Sequence, residues 1–130
     1  MVIEDYVSFE TAKLLKEKEF DIETCTYWDL TTITKTPKIG MSLTPKNWNY
    51  KWKVFSLPIS APTLQMAMKW LREIHHLTID VFHFKDWKVN IKTIPDDYFK
   101  ADYSYPELKP AETYEQACEA AIKYCLEKLI

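Results

Sequence analysis

Apolar and polar residues alternate along this chain with two periods, and the positions where one period gives way to the other mark its elements. Phe9, Ala12 and Leu15, with Leu14 beside them, lie at helical spacing, and Lys13, Lys16, Glu17 and Lys18 fill the opposite side. Ser8 stands just before this stripe, where its hydroxyl can accept from a free amide of the first turn, and Glu10 suits the positive end of the helix dipole. A helix from Ser8 to about Lys18 follows. A second stripe, Leu64, Ala67, Met68, Leu71 and Ile74, is widened by Met66 and Trp70 and follows Pro62, which fits a first helical turn. A third begins at Thr113-Tyr114-Glu115-Gln116, a capping-box pattern, and carries Cys118, Ala121, Ile122, Cys125 and Leu129 on one side. It runs to the last residue of the sequence.

Between the helices the period falls to two. Residues 22–34 are rich in Thr, Tyr, Trp and Ile and predict one strand or a hairpin. Tyr50, Trp52 and Val54 alternate with Lys51 and Lys53 and predict another strand. After His75 and His76, three alternating runs (77–83, 87–91 and 99–105) predict an antiparallel meander. Its first turn has a determinable length. A two-residue turn would pair the apolar row of one strand with Lys88, Asn90 and Lys92, whereas an odd loop, Phe84 to Asp86, unites the apolar rows. The odd loop is the expectation. Residues 35–49 contain Pro37, Gly40, Pro45 and Asn47, and are read as a long loop. The resulting order is helix, strands, helix, three strands, helix. It predicts one α+β domain over residues 1–130, a two-layer sandwich of an antiparallel sheet and three helices.

Composition sharpens this picture in three places. The chain has 130 residues, 47% of them hydrophobic and 28% charged, proportions of a folded domain that needs no staple. Five Trp, eight Tyr and six Phe mean that rings fill much of the core and that some reach the surface as contact points. Gly40 is the only glycine, so turns are expected to rely on Pro, Asn and Asp. The N-terminus has neither a basic start nor an apolar run, and no stretch approaches the length of a membrane helix; a cytoplasmic protein is expected. Cys25, Cys118 and Cys125 are odd in number, and the last two, on one helix, lie too far apart to join. Reduced thiols fit that compartment.

Three stretches already described, YVSFETAKLLKEKEF, APTLQMAMKWLREIHH and TYEQACEAAIKYCLEKLI, together resemble a group of small proteins from gut Bacteroidales and their phages and prophages. The stretches cover the three helices, less than half of the chain. No activity is established for that group. The resemblance implies a phage-associated or mobile-element accessory protein, and it brings no catalytic residues with it.

Candidate chemistry is sparse. No acidic residue occurs between Asp29 and Glu73, although the formal net charge is −2. Within this basic block Lys46, Trp48, Tyr50, Lys51, Trp52 and Lys53 mix rings with ammonium groups, the combination that stacks bases and meets phosphates of single-stranded nucleic acid. The structural alternative ranks first: the rings point into the core, and the lysines guard a sheet edge. The sequence pI of about 5.9 is not that of a typical nucleic-acid binder. His75, His76, Asp80 and His83 do not make a metal site, since Asp80 and His83 point to opposite faces of a strand. Cys25 lacks any neighbour in sequence that would activate a thiol. Asp96, Asp97, Asp102, Glu107 and Glu112 lie among prolines and read as solvated loop charges. Phosphate-cradling loops need glycines that are not there. No cofactor, metal or catalytic residue is assigned. The function expected is binding to another protein or to itself, without enzymatic activity; the alternative is a nucleic-acid or nucleotide binder using residues 46–53.

Overall fold

The computed structural model describes residues 4–49, 57–94 and 108–130. It has three helices and antiparallel strands throughout, an α+β fold, and divides into two compact units, Met1–Thr63 and Leu64–Ile130.

In the first unit, helix α1 (Phe9–Glu17) starts as its sequence requires, with the Ser8 hydroxyl accepting from the Thr11 amide at 3.2 Å. It ends in a Schellman motif. The Phe20 amide reaches the Leu15 carbonyl (2.9 Å) and the Glu19 amide the Lys16 carbonyl (3.0 Å), while Phe20 and Leu15 are both buried. Strand β1 (Thr24–Leu30) is central in a sheet of order β2-β1-β3, flanked by β2 (Pro37–Lys46) and the short β3 (Ile59–Ser60). The Trp28 indole crosses to the segment before α1, donating to the Val7 carbonyl at 2.9 Å, and its ring meets Phe9. The β1–β2 turn is stitched by threonine: the Thr31 amide donates to the Thr36 carbonyl, the Thr36 amide to the Thr31 hydroxyl, and Thr34 joins both hydroxyls.

One expectation changes here. The segment read as a long loop, 35–49, contains the ten-residue strand β2. Its two prolines bar it from the middle of a sheet but not from an edge, where Pro37 opens the strand and Pro45 falls in an irregular stretch. The strand expected from Tyr50, Trp52 and Val54 lies outside the described residues, as does the third run of the meander, 99–105.

In the second unit, α2 (Leu64–Ile74) begins two residues beyond Pro62 and buries Leu64, Ala67, Met68, Trp70 and Leu71. Strands β4 (Leu77–Phe84) and β5 (Asp86–Thr93) pair with Ile79 opposite Ile91, Val81 opposite Val89 and His83 opposite Trp87. This is the register that the odd loop gives. Helix α3 (Tyr114–Tyr124) is capped by Thr113, whose hydroxyl accepts from the Gln116 amide at 3.1 Å, and the Gln116 side chain returns to the Glu112 amide. A wider turn, Cys125–Leu129, continues it.

Among the described residues the left-handed turn positions are not taken by Asn or Asp. Glu19, Lys35, His76 and Lys85 have φ between 55° and 68°. Each has a Cβ that this conformation penalises by roughly 1–2 kcal/mol, and the sole glycine is elsewhere. Lys85, exposed at the β4–β5 tip, gives the cleanest test. Lys85→Gly should raise stability by about 0.5–1 kcal/mol after allowing for the added freedom of the unfolded chain. Urea denaturation monitored by circular dichroism measures it, and a loss of stability would show that the Lys85 side chain matters more than its backbone.

Candidate binding surface

The only glycine lies where a side chain would do most harm. Gly40 pairs directly with Tyr27 across β1–β2, and a Cβ added there would run into the Tyr27 ring. Gly40 has no positive φ, so the reason is space and not backbone freedom. The Tyr27 ring lies across the gap and continues onto Trp48, with centroids 4.4 Å apart. Trp48 in turn donates its indole N–H to the Thr24 carbonyl (2.8 Å), and its backbone amide donates to the Ser60 hydroxyl (3.2 Å). Asn49 completes the clamp: its side chain accepts from the Ser60 amide and donates to the Phe20 carbonyl.

These contacts define the predicted nucleic-acid residues that the structure describes. Trp48 is half-buried and engaged by Tyr27, while the exposed Lys46 holds its ammonium 5.6 Å from the Trp48 ring centroid. Trp48 thus anchors the return of the chain toward β3. Tyr50, Lys51, Trp52 and Lys53 lie outside the described residues.

What sequence reasoning missed is the outer strand. Pairs across β1–β2 run regularly from Leu30–Pro37 to Thr26–Met41, then break, and Lys46 resumes opposite Thr24. Residues 42–45 therefore detach from β1 as a bulge, in which the Ser42 hydroxyl donates to the Thr44 carbonyl and accepts from the Thr44 amide. Ile39 and Met41 share the face of Trp28 and Thr26, yet remain uncovered, with Met41 72% and Leu43 102% exposed. No strand among the described residues pairs with the far side of β2, and no ion pair among them involves Lys35, Lys38 or Lys46. A signal for this was present: Ile39, Met41 and Leu43 alternate with Gly40 and Ser42 between two prolines.

Other chemistry is thin. A cavity of about 410 Å³ lies between Phe9, Leu57 and Ile59, with Lys13, Lys16 and Glu17 around it. Lys13 is taken up by Glu10 (3.5 Å) and by the Phe9 ring. Among the described residues no group of His, Cys, Asp or Glu is placed to hold a metal ion, and no helix is long and apolar enough to cross a membrane. His83 meets Trp87 edge-on, 5.0 Å between centroids. Cys118 and Cys125 are buried, and burial raises both thiols, Cys125 to about 12. A thiol so disfavoured as thiolate is a packing group.

Comparisons with family models, curated proteins and solved structures gave no match for this chain.

Two measurements test this description. Trp48→Phe keeps a ring against Tyr27 but removes the bond to Thr24, and should cost about 1 kcal/mol in thermal or chemical unfolding. At pH 8 the half-buried Cys25 should react with a thiol reagent in the native protein, and Cys118 and Cys125 only after denaturation. Because the folded pKa of Cys125 is raised from 9.0 to about 12, its contribution to stability is complete below pH 9 and is lost as pH climbs from there toward 12. Equally rapid labelling of all three thiols would contradict their placement.

Proposed function

We propose that this chain is a non-enzymatic accessory protein that acts by binding protein through the open edge of β2. The observation that carries the reading is the exposed apolar row on a strand whose outer edge meets no other strand among the described residues. Folded proteins usually blunt or cover such edges because they capture other strands. Here Ile39, Met41 and Leu43 stand beside free backbone groups, which is the chemistry of strand addition: main-chain bonds give affinity, and alternate side chains give selectivity. The phage or mobile-element context rests on the resemblance of the three helical stretches alone. A cytoplasmic setting agrees with three unpaired thiols.

The nucleic-acid reading draws support from Lys46 and from the basic block around it, but Trp48 already spends its N–H on Thr24 and a ring contact on Tyr27. Protein binding is the better-supported reading. Affinity capture from a host lysate with wild type and with Ile39→Lys/Met41→Lys should give partners that the variant loses, at unchanged circular dichroism. The same set with both proteins would remove the edge as the address. Salt-sensitive binding of single-stranded DNA, abolished by Lys46→Ala, would favour nucleic acid instead.

A further inference from the structure

The β2 sequence is close to a chemical palindrome. About Met41, Gly40 mirrors Ser42, Ile39 mirrors Leu43, and Pro37 mirrors Pro45; only Lys38 and Thr44 differ in kind. We propose that the edge of β2 is occupied by β2 of a second copy, antiparallel about a two-fold axis at Met41. The proposal rests on the protein-binding reading and names its partner.

A two-fold contact requires a surface complementary to itself, so that residue i meets j and j meets i. An antiparallel pairing centred on Met41 does this with every apolar side chain. Ile39 of each copy faces Leu43 of the other, and the two Met41 side chains meet at the axis. The small residues Gly40 and Ser42 oppose one another on the other face. The prolines, which lack an N–H, fall opposite each other and close the pairing at both ends, leaving residues 38–44, a strand of ordinary length.

Charge permits this arrangement. Lys38 faces Thr44, and the two Lys38 side chains are six residues apart along the paired strands, about 20 Å at roughly 3.4 Å per residue. That exceeds two Debye lengths at physiological salt, so their repulsion is largely screened. In each copy Asp29 is the neighbour of Lys38 on β1. The bulge also helps. β1 releases residues 42–45, so this half of the strand is not held in place by β1 when it meets Ile39 of the other copy. A contact of one short strand per copy is small, so association in roughly the micromolar range is expected, not an obligate dimer.

Sedimentation equilibrium of the full chain from about 1 to 500 µM provides the test, a range that brackets such an affinity. Wild type should pass from monomer to dimer. Met41→Lys and Met41→Glu should each be monomeric with unaltered circular dichroism, because each places like charges together at the axis. Their equimolar mixture should dimerise again, since Lys then faces Glu. A wild type that stays monomeric throughout, a dimer that persists in Met41→Lys, growth beyond dimers, or failure of the mixture to associate would each overturn the two-fold pairing. If wild type is monomeric but the Ile39→Lys/Met41→Lys variant still loses its captured partners, the edge binds a foreign strand and only the two-fold inference fails. If capture is also indifferent to the variant, the protein-binding reading falls with it.

Discussion

The contact between the Tyr27 ring and the bare backbone of Gly40 sets the geometry on which the first unit depends. It fixes which residue of β2 lies opposite which residue of β1, because no other position in the chain lacks a side chain. The same ring braces Trp48, and Trp48 reaches back through Thr24 and Ser60 to both neighbours in the sheet. A shift of one residue would send Ile39 and Met41 to the other face and place a side chain beneath Tyr27. The exposed row on β2 is therefore a consequence of a contact made on the opposite side of the strand.

The edge itself departs from the usual defences. Prolines flank it and lysines surround it, both of which discourage pairing, yet its centre is apolar and of regular spacing. This is a restricted edge and not an open one. On the proposed reading, a partner would fit between the prolines and accept three aliphatic or thioether side chains at every second position.

Sequence alone was a good guide wherever local spacing and capping decide the outcome. Ser8 and Thr113 cap the helices that their positions imply, and Ile79 and Val81 meet Ile91 and Val89 because only an odd loop joins two apolar rows. It was a poor guide at residues 35–49. There the prolines and the glycine outweighed the alternation of Ile39, Met41 and Leu43, and nothing local reveals that Tyr27, thirteen positions earlier, needs a neighbour without a Cβ. The ring and lysine neighbours of Trp48 suggest a surface role, whereas its place is set by the Thr24 carbonyl and the Ser60 hydroxyl, distant in sequence. Long-range contacts of this kind leave no periodic trace.

The left-handed residues Glu19, Lys35, His76 and Lys85 bear on how this chain can change over generations. At about 1–2 kcal/mol each, their backbones together withhold a sizeable fraction of the 5–15 kcal/mol by which domains are usually stable. All four stand in the turns between elements, where glycine adopts the same backbone without the Cβ penalty. The chain thus keeps a store of easily reached stabilising substitutions, and a harmful change in its core can be compensated at a distant turn.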